Sequence, residues 1–333
     1  MMGRARTSLL RLEGAWWMMR VNIWMAIMVP AGSFAAADSP TPLELLAAVL
    51  ATVLAGGLAV VINDILDRDK DEVTAPELPL PSEVVTLLQA RVFAIALALC
   101  VIGLWALAST TFLGWVLALV VSGVGGILVV LYSFAKPYGL VGPVVGGVAY
   151  STIPVAAWAA AGGGVGPYPI EIVIVYAVLI GTGGIIHAAI RDVDSDGKVG
   201  NRTVAVRLGP ERALRLGTGF YLCSTACVAW AGVISSHAAA GAALSLATAL
   251  TVLYAHRTAH RRMTGLGVGR VTRVTATRPV TLSRLACHVA MIAIVSPLLA
   301  AVVGAISLVV LPLQVARYRA RIYCGGLRKE LEA

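Results

Sequence analysis

Asp64, Asp67 and Asp71 follow an unbroken apolar run, at spacings of three and four residues. If helical geometry persists through them, all three project from one face and Asp69 points elsewhere. Carboxylates this close repel one another unless a cation lies between them. Hard oxygen ligands at the end of an apolar helix suit Mg²⁺, which keeps several waters and is usually completed by substrate phosphates. The plain alternative is a solvated, acid-rich helix end.

A second cluster weighs against that alternative. Asp192, Asp194 and Asp196 also follow an apolar run, with Asp192 and Asp196 one helical turn apart. Of the seventeen acidic residues in the chain, seven lie between Asp64 and Glu83 and three between Asp192 and Asp196. The acid is concentrated at two places, and a shared metal-diphosphate site is the chemistry that needs such concentration. The metal ions would act as Lewis acids on diphosphate oxygens, with Lys or Arg from neighbouring loops completing the charge balance.

The elements that hold these clusters are membrane helices. The chain has 333 residues, 59% hydrophobic and 13% charged, with a mean hydropathy of +0.86. Only helices or a closed barrel satisfy the backbone in hydrocarbon, and long apolar runs select helices. The fold class is therefore all-α, a polytopic membrane protein in one domain over 1–333. Nine spans are expected near 15–37, 43–63, 84–108, 111–134, 140–161, 169–190, 212–235, 238–256 and 285–315, the last with Pro297 and Pro312 inside it. No short hydrophobic core with a cleavage site precedes the first span, so no removable signal peptide is expected.

Loops 64–83 and 191–211 then lie on one side and carry the chemistry. That side holds nineteen of the twenty-six basic residues, counting seven arginines from Arg257 to Arg284 as one loop. The positive-inside rule makes it cytoplasmic, in a protein of the cell membrane. The tail with Arg317, Arg319, Arg321, Arg328 and Lys329 falls on the other side, where it would lie along the headgroups. Topology accounts for the net charge of +9, and nucleic acid is not an expected partner. Cys100, Cys223, Cys227, Cys287 and Cys324 read as small packing residues. Glycines 123, 125 and 126, and 142, 146 and 147, read as close helix contacts.

Asn63 to Asp71 fits the pattern NDxxDxxxD and Asp192 to Thr203 resembles DxxxDxxxGxxT, the two motifs of the UbiA superfamily of intramembrane prenyltransferases. The second is most similar to the version in naphthoate, menaquinone-type members. Tyr132, Ser133 and Lys136 resemble the segment YSxxxK. The resemblance covers nearly the whole chain and implies a helical bundle around a cavity open to the cytosolic face. It implies transfer of a prenyl group from a diphosphate, with Mg²⁺ as cofactor, to an aromatic or quinone-like acceptor. Asn63, Asp64, Asp67 and Asp71 would bind one metal and Asp192 and Asp196 another, with Asp64, Asp67 and Asp192 catalytic. Lys136, Lys198 and Arg202 would contact phosphate. Arg20 and Asn22, polar residues in the first span, are expected to line the cavity.

The chain departs from the family at two places. Leu78 to Glu83 reads LPLPSE where many members have RPLPSG, and Ala188 and Ala189 stand where naphthoate enzymes tend to have two Asn. Ala188 is one turn before Asp192, so a polar wall of the acceptor pocket becomes apolar. The altered loop and Ala188 together raise a terpene cyclase, which ionises the same donor and quenches the cation within its own chain. A transporter or binding protein that holds a metal-diphosphate without reacting is the reading from another class. His187 could take a proton beside the second cluster, but on the helix it faces away from Asp192 and reads as structural.

Overall fold

Threonines start the long helices. Thr41 Oγ accepts from the Glu44 N–H (3.3 Å) while Glu44 returns to the Thr41 N–H (2.7 Å), and Pro42 follows as the first helical residue. Thr86 and Gln89 repeat the reciprocal pair, and Thr111 caps a third helix at Gly114. Each such cap contributes about 1 kcal/mol and fixes where a membrane helix begins.

The protein, seen in a computed structural model, is described over residues 14, 18, 23–36, 40–76, 78–167, 169–265, 270–294 and 296–305. Arg20, Asn22, Cys324 and the basic tail lie outside these residues. The helices are α1 (Ile23–Ser33), α2 (Pro42–Leu66), α3 (Arg68–Thr74), α4 (Leu87–Ala108), α5 (Phe112–Ala135), α6 (Val141–Ala160), α7 (Ile170–Arg191), α8 (Val193–Lys198), α9 (Val204–Leu208), α10 (Pro210–Ile234), α11 (Ala238–Gly265) and α12 (Arg270–Ala293). A 3-10 turn, Lys136–Tyr138, joins α5 to α6. Among the described residues there is no strand, and one isolated bridge joins Gly139 to Thr203.

Among the described residues seven helices, α2, α4, α5, α6, α7, α10 and α11, are long and apolar enough to cross a membrane. On α5 the exposed residues Leu113, Leu117, Val120, Val124, Ile127 and Leu131 recur every three or four positions, a stripe that suits lipid. Successive long helices pack on one another from α5 through α12, and α12 returns against α7 and α1. The α10–α11 crossing needs two glycines: a Cβ on Gly232 would come within 2.5 Å of the Gly241 Cα. The expected packing role holds for Gly142, Gly146 and Gly147, which face neighbouring atoms, and for Gly125; Gly123 and Gly126 face open space.

The ninth long helix departs from the expected 285–315. It begins at Arg270 and ends at Ala293, and helix resumes at 297 with the Leu299 N–H donating to Ser296 Oγ (3.3 Å). Arg270, Arg273, Arg278 and Arg284 depress the hydropathy of this segment, so an apolar window cannot find it. Its helix rests on packing against α11, α7 and α10. Arg284 is thus a residue of α12, not of a cytoplasmic loop.

Candidate functional site

Both acid clusters are built in the same way. The α2 helix ends at Leu66, Asp67 leaves helical geometry (φ −89, ψ 6), and α3 begins at Arg68. The α7 helix ends at Arg191, Asp192 leaves it (φ −105, ψ 10), and α8 begins at Val193. In each case the backbone N–H four residues on returns to the junction carbonyl at 2.8 Å: Asp71 to Asp67, and Asp196 to Asp192. The expectation of one continuous helix through Asp64, Asp67 and Asp71 is therefore corrected. Neighbouring carboxylates are accommodated by an interruption at the middle aspartate, which puts Asp64 on α2 and Asp71 on α3.

Asp64 is buried, 3% exposed, while Asp69 and Asp194 are exposed. Asn63 donates from Nδ2 to Asp67 Oδ2 (3.1 Å) and accepts at Oδ1 from the Ser133 hydroxyl (2.7 Å). The end of α5 thus fixes the amide that orients an aspartate of α2. One turn on, Lys136 Nζ is 3.8 Å from Asp67 Oδ2 and 5.4 Å from the centre of the Tyr132 ring. The charges of Asp67, Asp192 and Asp196 all act on Lys136, so this ammonium stands between the two clusters.

A cavity of about 100 Å³ opens there, lined by Tyr132, Lys136, Pro143, Ile185, Ala188, Ala189, Asp192, Asp196, Thr203 and Val204. Asp196 Oδ1 accepts from Asn201 Nδ2 (3.3 Å). Among the described residues no group of three or more His, Cys, Asp or Glu is gathered at metal-holding distance. A metal held by one or two carboxylates and completed by phosphate oxygens and water is what such a donor set fits. The three aspartates expected to share one ion, Asp64, Asp67 and Asp71, are not gathered at that distance.

Two loops that contribute to the cavity lining are tied together. The Gly139 N–H donates to the Arg202 carbonyl (3.2 Å), as does Arg207 Nε (3.0 Å), and Arg207 Nη2 reaches the Pro137 carbonyl (3.4 Å). Lys136 and Thr203, beside this clasp, both line the cavity. Lys198 and Arg202, expected to contact phosphate, are exposed and do not line the cavity; Arg202 contributes its backbone carbonyl. Sequence reasoning quoted Thr203 within a motif and gave it no role, and it did not single out Arg207, whose partners are far away in the chain. His187 is buried on α7, edge-on to Tyr221 (centroids 4.9 Å apart), and does not line the cavity, as its helical phase indicated.

The departing loop is held by its apolar residues. Leu78, Leu80, Val84 and Val85 are buried, the last three in one cluster with Val61, Ala90 and Leu97. Its last residue, Glu83, adopts φ +61, where a side chain is strained and glycine is not. Glu83→Gly is expected to raise stability by about 0.5–1 kcal/mol, seen as a melting temperature about 2 °C higher. Glu83→Ala, which keeps the Cβ, should give no such gain in the same thermal melt.

The profile of the UbiA prenyltransferase family matches residues 23–265. A digeranylgeranylglyceryl phosphate synthase from Natronomonas pharaonis is 30% identical over 192 residues, 57% of this chain and 66% of that one, just under two thirds of the relative's length. A UbiA homologue from Archaeoglobus fulgidus, solved with GPP and Mg²⁺, superposes with a TM-score of 0.60 at 17% identity, over 84% of this chain and 99% of the other. The apo form of a homologue from Aeropyrum pernix K1 gives a TM-score of 0.64 at 18% identity, over 81% and 96%. These structural likenesses are likenesses of fold.

Proposed function

Since the chain belongs to the UbiA prenyltransferase family, an integral membrane prenyltransferase by its helices and its lineage, we propose that it joins the prenyl group of an isoprenyl diphosphate to an aromatic or quinone-like acceptor. The donor's carbon–oxygen bond breaks with its electron pair leaving on diphosphate. A bond forms between that carbon and a nucleophilic atom of the acceptor, which gives up a proton. The observation that carries this reading is a cavity lined by Asp192 and Asp196 of the second junction, with Lys136 on its wall also paired to Asp67 of the first.

Mg²⁺ bound at the aspartates would neutralise charge on the diphosphate oxygens. The chain's own residues do the remaining work. Ser133 and Asn63 hold Asp67 in one orientation, and Lys136 offers an ammonium to the departing diphosphate. The Arg207 clasp ties the loop that carries Lys136 to the loop that carries Thr203. The basic residues Arg68, Lys136, Lys198, Arg202, Arg207 and Arg212, in the segments that carry the two clusters, support a cytoplasmic active face in the cell membrane by the positive-inside rule. The test is purified enzyme with Mg²⁺, ten-, fifteen- and twenty-carbon prenyl diphosphates, and aromatic acceptors present or withheld. Acceptor-dependent diphosphate release supports transfer; release with a hydrocarbon product and no acceptor would refute it.

One observation favours a terpene cyclase as the second reading: Ala188 and Ala189 both line the cavity beside Asp192. Asn63 stands four residues before the junction Asp67 as Ala188 stands before the junction Asp192. The amide introduced by Ala188→Asn has a partner at hand in Asp192, as Asn63 has in Asp67, so the roughly 1–3 kcal/mol cost of an unpaired buried amide does not arise. In a transferase, Ala188→Asn should leave turnover within about threefold and shift the acceptor KM. In a cyclase it should divert products to acyclic alcohols. An unchanged acceptor KM together with an unchanged product profile would remove Ala188 from the pocket.

A further inference from the structure

The polar ends of α10 and α11 meet on the side of the membrane that carries the aspartate junctions. Gly232 packs on Gly241 at one end of the pair and Thr218 meets His256 toward the other, so the two helices run antiparallel. On α10 residues 216–234 are uncharged, and on α11 residues 238–255. At 1.5 Å per residue each stretch is about 27–28 Å long, close to the thickness of the hydrocarbon layer. Arg215 and His256 therefore fall at one hydrocarbon boundary, with Arg257, His260 and Arg261 just beyond it, at the level of the headgroups.

Packing and spacing gather these groups. Leu246, Leu250 and Leu253 are exposed along α11, and the same face continues at helical spacing as Arg257, His260 and Arg261, all exposed. Tyr254, also exposed, flanks the change from apolar to basic, as aromatic residues do at a membrane interface. The Thr218 hydroxyl donates to the Leu214 carbonyl (2.8 Å), so it accepts from His256 Nδ1–H (2.9 Å) and ties α11 to α10. The His256 and His260 rings lie parallel, 6.3 Å between centroids, and the charge of the exposed Arg215 acts on His256. No carboxylate occurs in the chain between Glu211 and Glu330, while nine arginines fall from Arg212 to Arg284. Two histidines one turn apart can chelate a divalent metal; Arg215, Arg257 and Arg261 around them favour an anion instead.

We propose that the ends of α10 and α11 form a headgroup site for an anionic phospholipid, whose phosphate is met by Arg215 of α10 and by Arg257, His260 and Arg261 of α11. Its acyl chain runs along Leu253, Leu250 and Leu246. The continuity of the basic end with that apolar stripe is what selects a lipid over a free anion. Guanidinium groups bind phosphate oxygens by paired hydrogen bonds, and each adds attraction to an anionic surface that is screened within a Debye length. Because α10 also packs on α7, which carries the second aspartate junction, and on α9, which carries Arg207, a lipid held here braces the helix behind that junction. The inference needs the membrane span alone and is independent of the reaction catalysed.

The experiment titrates the full-length protein, in a neutral detergent, with a fluorescent phosphatidylglycerol and with its phosphatidylcholine counterpart. Wild type should bind phosphatidylglycerol at least about tenfold more tightly, and about 0.5 M salt should erase most of that advantage. Arg215→Gln and Arg257→Gln should each weaken phosphatidylglycerol about fivefold, with phosphatidylcholine binding and melting temperature kept. Arg91→Gln, an exposed arginine near the start of α4 on the same side, should change it by less than about twofold. Equal binding of the two lipids by wild type overturns the proposal, and so does a loss with Arg91→Gln as large as that with Arg215→Gln, which would leave only diffuse surface charge. Inorganic phosphate that displaces the lipid as well as unlabelled phosphatidylglycerol does would assign the cluster to a free anion. Zn²⁺ bound at the histidines, with no preference between the lipids, would assign it to a metal; either result overturns the lipid. Should the arginine variants fail to fold, wild type alone decides: its melting temperature should rise by several degrees when about a fifth of the phosphatidylcholine in a nanodisc is replaced by phosphatidylglycerol. No rise overturns the site.

Discussion

Asp64→Asn and Asp192→Asn should each lower kcat by about 10³-fold, and the double variant should fall little further than either alone. Asp64 is buried at the end of α2, and Asp192 is the junction residue of the second cluster and lines the cavity. On the proposed reading each variant removes an oxygen donor from a site where charge on a departing diphosphate must be met, and removing one such group costs about 10²–10³-fold or more. Residues that serve one bound group act as a unit, so their losses do not add. Asn is close in volume, and each variant should keep its helical circular dichroism. Chelation of divalent metal should abolish turnover in wild type and Mg²⁺ restore it. Asp69→Asn and Asp194→Asn, at exposed positions beside the same junctions, should stay within about twofold of wild type. Steady-state kinetics on these variants decides the matter. A double variant whose loss is the product of the single losses would mean two independent sites.

The parts of this fold that announce themselves in the sequence are those that local chemistry determines. Apolar runs give the membrane helices, and aspartates at their ends give the two clusters. The i, i+4 spacing of Asp192 and Asp196 survives in the structure as a hydrogen-bonded turn. Hidden from the sequence are features set by partners distant in the chain. Arg284 looks like one more loop arginine until α6 and α7 are packed against α12. Arg207 becomes a clasp only because the turn after α5 comes within reach. The interruptions at Asp67 and Asp192 are a third case: spacing alone suggests a continuous helix, and their equivalence appears only when both junctions are compared. Glu83 shows the reverse limit, since its position in a motif suggested glycine and its positive φ supplies the reason.

Lys136→Met should reduce kcat by about 10²–10³-fold with a much smaller rise in donor KM. Lys136 sits where α5 ends, held near Asp67 by a 3.8 Å ion pair and against the Tyr132 ring, with Asp192 and Asp196 acting on it from the other side. Without substrate the ammonium relieves repulsion between the two clusters. With diphosphate present, the charge it must match grows as the carbon–oxygen bond lengthens, so its contribution is larger in the transition state than in the ground state and belongs in kcat. Lys136→Arg keeps the charge but spreads it over a planar fork in place of a compact ammonium, and should recover only part of the loss. Because the ammonium repels a cation held by the same carboxylates, Lys136→Met should lower the Mg²⁺ concentration at which residual activity saturates, whereas either aspartate variant should raise it. Titration of Mg²⁺ against diphosphate release in the three variants measures this. A Lys136→Met enzyme with unchanged kcat and a raised donor KM would show that the ammonium binds ground-state diphosphate only, and that the aspartates and their metal carry bond cleavage without it.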